Sequence, residues 1–143
     1  MRVAYNILAL LFFLSATAFL AQDTSEGVQE CAAKAGPDAI YLKDFQVDLP
    51  AAEQGKRPPM FRQAVLLRGN NIYRFNVCNT QGQAVIRIFD SSRMILSSYD
   101  AGKDKFYNPV NFLCRKTGQY TIVITFKDGT AGKAIGIMSH VKK

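Results

Sequence analysis

The side chains able to do acid–base or covalent chemistry are few: one histidine, three cysteines and 11 acidic residues in a chain of 143. A serine or cysteine nucleophile needs a histidine base that a third group orients. His140 is the lone histidine, and its neighbour Ser139 points to the opposite face of any strand holding both. An exposed or edge histidine accounts for it. Acidic pairs can cleave glycosidic bonds. The four acids beyond residue 55 are Asp90, Asp100, Asp104 and Asp128. Asp90 and Asp128 sit in turn sequences, where aspartate bonds the local backbone. Asp100 and Asp104 share a loop with Lys103 and Lys105 and read as a solvated tip. One histidine and three cysteines do not suit a zinc finger or a multi-histidine metal site. No glycine-rich phosphate loop opens a helix. The sequence therefore predicts no catalytic residues, no metal site and no cofactor.

The cysteines point to disulfide chemistry. Arg2 is the only charge before Asp23, and Ile7–Leu14 is an unbroken apolar run followed by Ser15, Ala16, Thr17 and Ala18. A basic start, a short apolar core and small residues at the cleavage site describe a secretory signal peptide over residues 1–21, cut within 18–21. No transmembrane span is expected once it is removed. An exterior location, in the periplasm or on the outer face of the cell envelope, favours pairing, and three cysteines leave one over. Three single pairings are open. Cys78 with Cys114 is the expected one, because both end strands of the body while Cys31 lies in an N-terminal arm. Strand parity opposes it: Cys78 shares a face with Arg74 and Asn76, and Cys114 shares one with Val110 and Phe112, so a twist or bulge has to aim both sulfurs together.

Charge is unevenly distributed. Residues 22–54 hold seven acids and two bases, while residues 55–143 hold fifteen bases and four acids. Either a basic surface awaits an anionic partner, or the acidic segment lies across the basic body and neutralises part of it. Basic and aromatic residues interleave at Arg74/Phe75, Arg87/Phe89 and Lys105/Phe106, as in single-strand binders. A secreted protein is in the wrong compartment for that role, and no nucleic-acid partner is expected.

The elements that must position these residues read as strands. Val28–Ala35 predicts about two helical turns, stopped by Gly36-Pro37. From Asp44 the period changes to two: Phe45, Val47 and Leu49 alternate with polar residues. Further strands are expected at Phe61–Arg68, around Tyr73–Val77, at Ala84–Phe89, Met94–Tyr99, Val110–Cys114, Tyr120–Phe126 and Ala134–Val141. That makes about eight strands spaced by ~8–12 residues, the pattern of an all-β antiparallel sandwich or jelly roll. The expected organisation is a signal peptide (1–21), an N-terminal arm with a short helix (22–38) and a β-sandwich domain (39–143).

Within this frame, Tyr73-x-Phe75-x-Val77, then Val85 through Phe89-Asp90, a polar loop, Gly118-x-Tyr120-x-Ile122-x-Ile124 and a final strand resemble the bacterial pre-peptidase C-terminal domain over residues 61–141. The resemblance implies a secreted jelly-roll module, standing here without a peptidase. Members of that family usually accompany secreted peptidases, and some bind substrate or calcium. This chain has no cluster of calcium-ligand acids, so the resemblance transfers no site. The expected function is a non-catalytic binding or assembly module. Its partner would be a larger envelope or secreted protein, or an anionic surface polymer. The rivals are a carbohydrate-binding module, with Tyr73, Tyr99, Tyr107 or Tyr120 replacing the absent tryptophan, and a secreted enzyme inhibitor inserting loop 51–60 or 100–109. The expected partner-binding residues are Lys103, Lys105, Phe106 and Tyr107, an apolar and cationic tip on a rigid scaffold.

Overall fold

The computed structural model describes residues 19–143, with side chains from Glu26 onward. The expected signal peptide falls mostly outside the described residues. Its last positions begin α1 (Phe19–Ala33), which starts earlier than the two turns expected from sequence. The helix stops where expected. The backbone N–H groups of Lys34, Ala35 and Gly36 donate to the carbonyls of Cys31, Ala32 and Ala33, tightening the last turn. Gly36 then takes φ 97°, a conformation that a β-carbon opposes.

Ten strands follow: β1 (Ala39–Leu49), β2 (Phe61–Leu67), β3 (Asn71–Gln81), β4 (Ala84–Asp90), β5 (Arg93–Ser97), β6 (Tyr99–Asp100), β7 (Lys105–Phe106), β8 (Val110–Cys114), β9 (Gly118–Phe126) and β10 (Gly132–Val141). A 3-10 turn at Lys127–Gly129 joins the last two. Sheet I has the order β1-β10-β3-β8 and sheet II the order β2-β9-β4-β5, while β6 and β7 form a separate hairpin. All neighbours are antiparallel. Two four-stranded sheets in these interleaved orders make a jelly roll, so the all-β sandwich expected from the alternation is the observed fold.

The core lies between the sheets and is built by the period-two positions. β3 contributes Tyr73, Phe75 and Val77, β9 contributes Tyr120, Ile122, Ile124 and Phe126, and β1 contributes Phe45 and Val47. Each such side chain, fully buried, stabilises the fold by about 1.5–3 kcal/mol. His140 is not at an edge, because β10 lies between β1 and β3. Its Nε2 is 3.1 Å from Asn71 Oδ1, and its ring meets Tyr73 edge-on.

Sheet I also buries side chains on its outward face. Ile137 and Ser139 of β10 and Asn76 of β3 are almost fully buried because α1 packs against β10 and β3. Gly27 permits that approach: a β-carbon there would lie 3.2 Å from Ile135 Cδ1. Asn76 donates its amide to the Cys31 carbonyl at 2.9 Å. The segment expected as an N-terminal arm with a short helix packs as a third layer on sheet I.

The disulfide links that layer to the sheet. Cys31 pairs with Cys78, with Cα atoms 5.8 Å apart and a sequence separation of 47. This corrects the expected Cys78–Cys114 pairing. Cys78 faces outward beneath α1, as its parity with Arg74 and Asn76 requires. Cys114 is a free thiol on the inward face with no exposure, 3.7 Å from the Tyr120 hydroxyl. The two cysteines thus occupy opposite faces of one sheet. Burial, reinforced by the Cys114 thiol, pushes the Tyr120 hydroxyl up to about 12, and that hydroxyl donates to the Lys116 carbonyl at 2.6 Å.

Arg74 completes the attachment. It donates to the Ala35 carbonyl at 2.6 Å, to both Asp38 oxygens at 2.6 and 3.1 Å, and through Nε to Asn111 Oδ1 at 2.9 Å. These hydrogen bonds and the guanidinium charge hold the Asp38 carboxyl below its ordinary 3.8. No helix among the described residues is long and apolar enough to cross a membrane.

Candidate functional site

The loop expected to carry the contact site is a small hairpin. β6 and β7 pair Tyr99 with Phe106 and Asp100 with Lys105. Asp100 Oδ1 accepts from the backbone N–H groups of Gly102 and Lys103, at 3.0 and 3.3 Å, and shapes the turn. Phe106 folds back onto Tyr99, with ring centroids 4.7 Å apart. Lys127 reaches over both rings, 5.3 Å from the Tyr99 centroid and 5.9 Å from that of Phe106. Its ammonium also pairs with Asp104 at 2.6 Å, and the Tyr99 hydroxyl donates to the same carboxylate at 2.8 Å. Asp104 is held below its ordinary carboxylate range by these donors, Lys127 first. The Asp104 carboxylate in turn raises Lys127 and Tyr99. The base of the hairpin is pinned by Asn108, whose side chain bonds both backbone groups of Val77 at 3.0 and 2.7 Å.

Of the four expected contact residues, Phe106 is thus committed to intramolecular stacking. Lys103, Lys105 and Tyr107 are exposed. Lys105 Nζ lies 5.1 Å from the Tyr107 ring centroid, and Lys103 lies 3.8 Å from Asp100.

A second arrangement, not singled out in the sequence, occupies the outward face of sheet II. Register places Arg62, Val123, Arg87 and Ser97 in one cross-strand row. The next row is Ala64, Thr121, Phe89 and Met94. The Arg62 and Arg87 backbones are two strand spacings apart, about 10 Å, with Val123 between them. Arg87 Nη1 donates to Thr125 Oγ1 at 2.8 Å, which fixes the guanidinium against the sheet. Among the described residues neither arginine pairs with a carboxylate.

Two clefts of about 320 Å³ each open on this face. Both are lined by Met60, Arg87 and Thr125, so they adjoin at Arg87 as the two limbs of a bent trough. One limb is walled by Pro58, Pro59, Phe126 and Asp128. The other holds Arg62, Phe89, Val123 and the hydroxyls of Ser91 and Ser92. Pro58, Pro59 and Met60 of loop 51–60 supply a wall of this trough. The outward positions of Arg62 and Arg87 are readable from strand alternation. Their alignment across Val123 is a product of non-local register and is not.

Among the described residues no three histidine, cysteine or acidic side chains converge to hold a metal ion. The chain matches no model of a known protein family, and no curated protein matches it in sequence. The resemblance to pre-peptidase C-terminal domains accordingly rests on the strand pattern of residues 61–141.

Proposed function

We propose that this protein is a non-catalytic binding or assembly module of the cell envelope or cell exterior, an accessory subunit that docks an acid-bearing partner on the outward face of sheet II. One observation carries this reading: Arg62 and Arg87 present guanidiniums without carboxylate partners over an apolar trough. A planar guanidinium matches a carboxylate or a phosphate bidentately, and it is more weakly hydrated than an ammonium. The Cys31–Cys78 bond suits an oxidising exterior, as does the apolar run at residues 7–14. The jelly-roll order suits a stand-alone module of the pre-peptidase C-terminal type.

The carbohydrate rival loses most of its platform. Tyr73 and Tyr120 are buried, and Tyr99 stacks with Phe106. A second reading uses the hairpin tip, favoured by the exposure of Lys105 and Tyr107. Site-specific photo-crosslinking in intact cells separates the two. A crosslinker at Thr121 should capture a partner, and the adduct should vanish when Arg62→Glu and Arg87→Glu are combined. Adducts only from position 103 would transfer the contact to the hairpin. No adduct from either position would count against a binding module.

A further inference from the structure

The trough has an internal order that narrows its occupant. Arg87 sits at the bend shared by both limbs, and Arg62 stands across Val123 from it. Cationic groups therefore occupy the middle, while one end is lined by Pro50, Pro58 and Pro59 and the other by Phe89 with the hydroxyls of Ser91 and Ser92. Along β9 the trough runs from the level of Phe89–Thr121 to Phe126, roughly 17 Å or about five residues of extended chain.

We infer that the trough holds an extended segment of a protein partner, about five residues long, with one acidic side chain seated on Arg87 and Arg62 and apolar side chains on either side of it. This rests on the docking role given above to sheet II. An anionic polysaccharide matches the arginines, but it brings no apolar side chains to the two limbs, and Phe89 alone is a poor sugar platform. A second copy of this chain is a poor occupant as well. Its own acids next to apolar residues are engaged: Asp44 and Asp48 adjoin Phe45 and Val47 of the core, Asp38 and Glu53 pair with Arg74 and Lys56, Asp90 follows Phe89 of the trough itself, and Asp100 follows Tyr99, which stacks on Phe106. Asp128, on the Pro58–Pro59 limb, repels a second acid at that end and so gives the segment a direction. A carboxylate bound by two guanidiniums beside an apolar floor is partly desolvated, which strengthens both attraction and selectivity.

The test uses the full chain and fluorescein-labelled five-residue peptides read by anisotropy. The first probe has glutamate between leucines and valines, the second has glutamine in its place, and the third keeps glutamate but has serine flanks. Polygalacturonate serves as an anionic polymer control. The glutamate probe should bind about tenfold more tightly than the other two, and Arg87→Ala should weaken it about tenfold. Arg87→Lys, which keeps charge but loses the fork, should fall between. Unchanged melting of both variants ties the loss to contact. Equal binding of the glutamate and glutamine probes overturns the inference. Equal or tighter arginine-dependent binding of the serine-flanked probe or of polygalacturonate also overturns it, while leaving sheet II as a docking face. Arginine-independent binding of every anionic probe, or no binding at all, overturns both.

Discussion

The two sheets face outward onto different surroundings. Over sheet I lies α1, fastened by the Cys31–Cys78 bond and by Arg74, whose guanidinium meets Asp38, Asn111 and the Ala35 carbonyl. On sheet II, Arg87 meets only a threonine hydroxyl and Arg62 no carboxylate among the described residues. All three arginines are outward residues of strands, and strand alternation treats them alike. Whether such an arginine is structural or available is decided by what covers it. A guanidinium with four hydrogen bonds to its own chain has little left for a partner, whereas one held by a single neutral hydroxyl keeps most of its donors.

This contrast can be broken experimentally. Removing the disulfide should have the largest effect. Cys31→Ser with Cys78→Ser should lower unfolding stability by up to about 4 kcal/mol in the chain-entropy model, read by urea denaturation. Unchanged stability would mean that α1 holds to sheet I without the bond. Next comes a matched pair on the two outward faces. Ile137→Ala, beneath α1, should cost about 3 kcal/mol, while Leu66→Ala, 74% exposed on sheet II, should stay within about 0.5 kcal/mol. Similar losses would abolish the distinction between the covered face of sheet I and the exposed Leu66 edge of sheet II, whose outward Val85 and Val123 are themselves buried.

The Arg74–Asp38 contact adds a pH dependence. Asp38 is depressed in the folded state, so its contribution is present above its unfolded value of 3.8 and is lost as pH falls through the lower folded value. The stability gap between the wild type and Asp38→Asn should be full near pH 6 and should close below about pH 4, measured by denaturation at each pH. A gap that persists in acid would sink the assignment. Smaller still in stability, Arg62→Glu with Arg87→Glu should shift unfolding by no more than about 0.5 kcal/mol while abolishing partner capture. The smallest effect is expected for Lys103→Glu with Lys105→Glu, with unchanged melting and binding altered no more than about twofold. A larger loss would favour the hairpin reading.

Most of the sandwich was legible because its strands alternate so regularly. Tyr73, Phe75 and Val77 and the Tyr120–Phe126 run face the core as their spacing requires. What was not legible depended on a third layer. Parity already placed Cys78 on the outward face, against pairing with Cys114. Nothing local shows that α1 lies over that face and brings Cys31 there. β1 begins at Ala39, earlier than its clean alternation, because a bulge between Tyr41 and Lys43 interrupts the period. The hairpin at 99–106 read as a loop because its strands are two residues each. The sheet II trough was hidden for a different reason: it combines residues from a proline-rich loop, two turns and four strands.

The strand order also carries a consequence in time. β10 lies between β1 and β3, and β9 lies between β2 and β4. During synthesis the first four long strands emerge with no central neighbour to bond. Neither sheet can close until β9 and β10 have been made, so the contacts that define the fold are long-range. Of the pairs within the two sheets, β3–β8 and β4–β5 can form before β9 and β10 are made, and both layers are completed only around those two central strands.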